Sequence, residues 1–225
     1  MTPVIDLQGS MVLLGRFPAL TDITMTASEG EIIIVKGPNG AGKSTLLRLC
    51  AGLLPLKQGK GSVLGFDIAT ERMSIRPHVG MLGHKTGLYP DLTVKENMQF
   101  WAQVTNATPK DVMNAVNLLG LDGRLESVYV RNLSEGQRRR VSLATLVVQR
   151  PSLWLLDEPH AALDSEGKQI VDSLILQAGK SGATVMVASH EIDKVGESQT
   201  RIIKVAGGAV INDTRNDYEG DHDAS

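Results

Sequence analysis

Nine consecutive residues, GPNGAGKST from Gly37 to Thr45, have the types and spacing that hold phosphate. Gly37, Gly40 and Gly42 let the backbone turn sharply, so that successive N–H groups point at phosphate oxygens; Pro38, Asn39, Ala41 and Thr45 complete the loop. Lys43 supplies an ammonium for the β- and γ-phosphates, and a helix starting near it adds unpaired N–H groups and a positive dipole end. Ser44 offers a compact hydroxyl to Mg²⁺, a hard cation that prefers oxygen. These residues bind a nucleotide. They do not decide between a kinase, a switch, a motor and a pump.

Two further groups narrow the choice. LWLLDE, Leu153 to Glu158, ends an apolar run with adjacent carboxylates that strand alternation sends in different directions. Asp157 then suits a role beside Mg²⁺ and Glu158 that of general base toward an attacking water, although an acidic pair at a strand end also suits a helix cap or a solvated turn. In LSEGQ, Leu133 to Gln137, Ser134 and Gln137 have the spacing of a capping box. That reading accounts for a helix start. A helix N-terminus bearing Ser134 and Gly136 is equally a second surface for phosphate.

The elements that position these groups follow from periodicity. EIIIVKG reads as a buried strand and KSTLLRLCAGLL as a helix, giving the order strand, loop, helix. SLWLLD is a second strand, Ile170 to Ala178 a helix ended by Gly179, and TVMVAS a third strand. This alternation predicts an α/β fold with a mainly parallel core sheet. VIDL, MVLL and ITMTA suggest short strands of an N-terminal antiparallel subdomain. Residues 86–150 have helical periodicity and are expected to form an inserted helical subdomain, within one domain spanning residues 1–212. The remainder, 213–225, is acidic, poor in apolar residues and expected to be disordered.

Composition sets the outer bounds. With 225 residues and 42 % hydrophobic content, the chain buries one substantial core. A net charge of −2 argues against a protein that coats nucleic acid. The basic run Arg138, Arg139 and Arg140 fans around a helix start and reads as solvated side chains. Cys50, the single cysteine, reads as a buried thiol in a reducing compartment. MTPVIDLQGS lacks the features of a secretion signal, and the most apolar stretch is broken by Gln149, Arg150 and Pro151, so membrane action is expected through a partner.

Taken in order, these motifs resemble those of the ATP-binding cassette family over nearly all of residues 1–212. GPNGAGKS resembles its Walker A loop, LSEGQ its signature, LWLLDE its Walker B strand, AALD (Ala161 to Asp164) its D-loop, and His190 of VASHE its switch histidine. The resemblance implies a P-loop NTPase fold and an ATPase using ATP and Mg²⁺. It also implies a head-to-tail dimer, in which Ser134, Gly136 and Gln137 of one chain complete the site holding Lys43, Ser44 and Asp157 of the other. By the same resemblance Glu158 and His190 act on the attacking water, and Asp164 links the two sites or caps the helix it precedes. The implied partners are a second cassette and an integral membrane permease, without direct nucleic acid, at the cytoplasmic face of the cell membrane.

Three positions depart from the family pattern. Leu14 stands where an aromatic residue usually stacks on adenine, with Phe17 as the alternative contact. Glu135 replaces a glycine within the signature. His84 replaces the glutamine that joins the catalytic core to the helical lobe, and is expected to act by hydrogen bonding in coupling to the permease. LGHKTGLYPDLTVKEN and SLWLLDEPHAALD resemble most the haem-exporter ATPase of bacterial cytochrome c biogenesis. Two other classes compete: a soluble cassette protein remodelling ribosomes or DNA, for which 225 residues leave no second cassette or coiled-coil arm, and an exporter ATPase for another substrate. A regulator without turnover is disfavoured by intact Lys43, Asp157, Glu158 and His190.

Overall fold

A computed structural model describes residues 2–83, 87–190, 195 and 200–215. Within them, strands β1 (Ile5–Leu14), β2 (Phe17–Ala27), β3 (Ile32–Lys36), β4 (Gln58–Val63), β5 (Phe66–Asp67), β6 (Val79–Leu82), β7 (Leu153–Asp157), β8 (Thr184–Ala188), β9 (Arg201–Ala206) and β10 (Ala209–Asp213) form one mixed sheet, in the order β5-β4-β1-β2-β10-β9-β3-β8-β7-β6. The helices are α1 (Lys43–Cys50), α2 (Arg72–Ile75), α3 (Val94–Thr105), α4 (Pro109–Leu118), α5 (Glu135–Gln149) and α6 (Ser165–Lys180).

β3, β8, β7 and β6 run parallel in register, with Val35 beside Ala188 and Ala188 beside Asp157. Every residue of β7 and β8 is buried, which is why they read as unbroken apolar runs rather than alternating ones. Alternation still divides their side chains. Ile33, Val35, Leu153, Leu155, Met186 and Ala188 enter the core beneath α1, whereas Ile34, Trp154, Leu156, Val185 and Val187 enter the core shared with α5, α6 and the helical lobe. The sheet is thus clamped on both faces, and the ends of its central strands are held rigidly.

Some expected boundaries move. VIDL and MVLL belong to one strand, β1, whose pairing shifts register around Gly9, so a bulge takes the place of a break between two strands. α6 runs through Gly179 to Lys180, and the chain turns at Gly182, where φ is +90°. At the C-terminal end Asp213 is the last residue of β10 rather than the first of a tail, because it accepts from the buried Arg201 (Nε to Oδ1, 2.7 Å). Arg201 also donates to Thr26 O at 2.7 Å and Glu31 Oε1 at 3.0 Å, tying β9 and β10 to β2 and to the residue that precedes β3. Burial alone would raise the Asp213 carboxyl, but hydrogen bonds from Arg201 and the Arg215 backbone hold it below the usual carboxylate range. Residues 216–225, most of the expected tail, lie outside the described residues.

Cys50 is fully buried in α1, and burial pushes its thiol up to about 12, in keeping with a side chain that only packs. No helix among the described residues is long and apolar enough to cross a membrane.

Candidate active site

The phosphate loop leaves the end of β3, and α1 starts at Lys43 with Gly42 as its N-cap at φ 106°. A side chain is excluded there twice over: this is the left-handed region, and a Cβ on Gly42 would lie 2.8 Å from Ala19 O and from Leu20 Cδ2. The loop is therefore pressed against β2. Lys43, 8 % exposed, folds back and donates from Nζ to Gly37 O at 2.7 Å and Pro38 O at 3.2 Å, so its ammonium spans the mouth of the loop. Among the described residues no cluster of acidic, histidine and cysteine side chains could by itself hold a metal. Ser44 and Asp157 offer only oxygen, and Asp157, 8 % exposed, accepts no side-chain hydrogen bond among the described residues. That donor set fits Mg²⁺, which takes few protein ligands and relies on water and phosphate oxygens for the rest.

Because β7 and β8 are neighbours, their C-terminal ends bring the two chemical groups together. Glu158 directly follows β7, takes φ +46° and donates its backbone N–H to Ala188 O at 2.8 Å. Its Oε1 lies 2.8 Å from His190 Nδ1, and its Oε2 accepts from Ser189 Oγ at 3.1 Å. Ser189 was not singled out from the sequence. It is the residue between β8 and His190, and only the adjacency of the two strands gives it a role.

The signature residues lie on another surface. Ser134 caps α5: its Oγ accepts from Gln137 N at 3.2 Å, and Gln137 Oε1 accepts from Ser134 N at 2.9 Å, the reciprocal pair expected from their spacing. Gly136 packs against the D-loop so closely that a Cβ would come 2.6 Å from Ala162 O. No hydrogen bond joins residues 134–137 to residues 37–45 among the described residues. Asp164 caps α6 by accepting from Gly167 N at 2.9 Å, and pairs with Arg140 at 2.9 Å. The Gly167 N–H, together with Arg140, holds the Asp164 carboxyl below its usual range.

The basic run is the main correction. Arg138 donates to Leu133 O at 2.8 Å and Arg140 to Asp164, while Arg139 is only 7 % exposed. Its guanidinium donates to Gly83 O at 3.0 Å, Asp157 O at 2.7 Å and Glu158 O, and Nε approaches Pro159 O at 3.5 Å. Burial lowers the Arg139 pKa, with the charges of Asp157, Glu135 and Glu158 opposing. From Val141 onward α5 is buried on nearly every side, so helical spacing does not single out one of three neighbouring arginines. His84 falls outside the described residues. Leu14 and Phe17 face each other across the β1–β2 turn, 43 % and 79 % exposed.

A strand, a glycine loop and a helix at the carboxyl edge of a parallel sheet, with paired carboxylates two strands away, define a P-loop NTPase. A family profile described as "ABC transporter" matches residues 20–161, more than half of the chain. "Cytochrome c biogenesis ATP-binding export protein CcmA" of Rhodopseudomonas palustris (strain BisB18) is 37 % identical over 202 residues, covering 90 % of this chain and 97 % of that protein. The protein of the same name from Vibrio parahaemolyticus is 36 % identical over 178 residues, covering 78 % and 86 %. Among solved structures, the dimeric post-hydrolysis state of the ATP-binding cassette MJ0796 bound to ADP and Pi superposes with a TM-score of 0.83 at 25 % identity, over 93 % of this chain and 97 % of that one. The chain belongs to the ABC transporter family, as an ATP-hydrolysing cassette.

Proposed function

We propose that the chain is the ATPase subunit of a membrane exporter acting in cytochrome c biogenesis, with haem as cargo, docked on the inner face of the cell membrane. The single observation behind the subfamily is the extent of the likeness to the CcmA proteins, which runs over most of both chains. In this reading the cassette works as a head-to-tail homodimer. Support comes from the placement of the signature residues at the capped N-terminus of α5, with no hydrogen bond to the phosphate loop among the described residues, which suits Ser134 and Gly136 to a γ-phosphate held by the loop of another chain. Loss of that phosphate removes the bridge, so hydrolysis opens the dimer and becomes motion in the permease. Ser44 and Asp157 would hold Mg²⁺, which would neutralise phosphate charge. Glu158, held by His190 and Ser189, receives the proton of the attacking water.

The partner is tested by mild-detergent purification of the tagged chain from its native membranes. Recovery of a multi-span subunit in fixed ratio is the expected result; recovery with ribosomes or DNA would replace this reading with the remodelling one.

Adenine is held by Phe17 in this proposal. Phe17 and Ala19 share a face of β2, and Ala19 O lies against the N-terminus of α1, so an aromatic ring two residues upstream is suited to cover the base above the loop. Phe17→Ala is expected to weaken ATP binding by roughly 3- to 10-fold, the range for losing one stacking contact. Leu14→Ala is expected to do less. Equilibrium titration with a fluorescent ATP analogue checks both, and equal affinities for wild type and Phe17→Ala would remove Phe17 from the site.

A further inference from the structure

Arg139 has a chemistry that packing alone does not explain. A buried guanidinium is normally matched to a carboxylate, in a fork-to-fork pair. Here, among the described residues, the hydrogen-bond partners of the fork are all backbone carbonyls. They come from two strand ends, Gly83 after β6, and Asp157 at the end of β7 with Glu158 and Pro159 after it. Glu158, in the middle of that set, has the left-handed backbone conformation that side chains with a Cβ rarely adopt. The two peptides flanking it are both held: its N–H donates to Ala188 O, and its carbonyl accepts from Arg139. The direction of the Glu158 side chain follows from how these two peptides are turned. Arg139 is also the fifth residue of α5, the helix whose N-terminus carries Ser134 and Gly136. A shift of α5 by an ångström would lengthen these contacts and take the bonds to Gly83 O and Pro159 O out of hydrogen-bond range.

We propose that Arg139 is a positioning residue for ATP hydrolysis, which holds the 157–159 backbone in the shape that aims the Glu158 carboxylate and makes that aim depend on where α5 sits. The proposal rests on Glu158 acting as the base. Through Gly83 the same side chain ties in the strand that leads to residues 84–86, so the signature helix, β6 and the catalytic turn meet at one guanidinium. Lysine cannot replace it, since one ammonium does not span carbonyls from two strand ends.

The test is Arg139→Lys, with Arg139→Gln as a second variant of different charge, each assayed for kcat and KM and by equilibrium nucleotide binding. Melting curves normalise the rates to folded protein. Nucleotide affinity and KM are expected within about 2-fold of wild type, while kcat falls about 10-fold or more, as misplacement of a reacting group by a fraction of an ångström does. Single-turnover hydrolysis in the Glu158→Gln background supplies the second readout. With the aimed carboxylate gone, adding Arg139→Lys is expected to change the residual rate by less than about 2-fold. The proposal is overturned by a wild-type kcat per folded molecule, by a rise in KM at constant kcat, or by the same fold-loss with and without Glu158. Near-normal turnover by Glu158→Gln alone would instead remove the underlying reading of Glu158, and that result is visible before the double variant is made.

Discussion

Glu158→Gln is expected to bind ATP and hydrolyse it about 10²- to 10⁴-fold more slowly, the range over which a positioned general base contributes. The side chain sits at the end of β7 with Oε1 2.8 Å from His190 Nδ1 and Oε2 3.1 Å from Ser189 Oγ. An amide keeps the length and planarity of the carboxylate and one acceptor oxygen, so the turn and the phosphate loop are left intact. What it loses is the ability to take a proton from water. Since only hydrolysis removes the γ-phosphate in the proposed cycle, the variant is also expected to accumulate as an ATP-bound dimer. Phosphate release and size-exclusion chromatography with MgATP check the two halves separately. Near-normal release would take the role of base away from Glu158. A slow enzyme that stays monomeric would leave the base in place and count against dimerisation through the γ-phosphate.

Lys43→Ala is expected to act earlier, on binding itself. Nζ lies within hydrogen-bond range of Gly37 O and Pro38 O, so the ammonium is already poised over the loop rather than recruited from solvent. ATP exchanges those neutral acceptors for charged phosphate oxygens, and charge-assisted bonds of this kind are worth about 1.5–3 kcal/mol. The affinity for ATP is therefore expected to fall roughly 10- to 100-fold. Hydrolysis would fall with it at low nucleotide concentration. Isothermal titration, accompanied by a melting curve to show that the loop is still folded, makes the measurement. Unchanged affinity in a folded variant would refute the assignment of the loop.

What could be seen in the amino-acid sequence is what depends on neighbours along the chain. The strand, loop and helix of residues 32–50 were legible because apolar periodicity and glycine spacing are local. The reciprocal cap of Ser134 and Gln137 was legible because a capping box spans three residues. The helical insertion was legible from its period, and α3, α4 and α5 all fall within it. The bulge that makes β1 continuous was less visible, because Gly9 in a strand suits either a bulge or a break until the partner strand is known.

Tertiary structure decided everything that relies on which strands lie side by side. Glu158, Ser189 and His190 meet because β7 and β8 are neighbours, and periodicity gives each strand without its neighbour; only the family resemblance had put Glu158 and His190 on one water. The fate of the three arginines was decided the same way. Consecutive helix positions differ by about 100° in direction, so at most one of them can point into the seam between α5 and the ends of β6 and β7, and the packing of the sheet chose Arg139. Composition marks such a residue as solvated because a lone guanidinium is costly to bury. The cost is offset here by backbone carbonyls at strand ends, acceptors that every sequence possesses and that only the fold brings together.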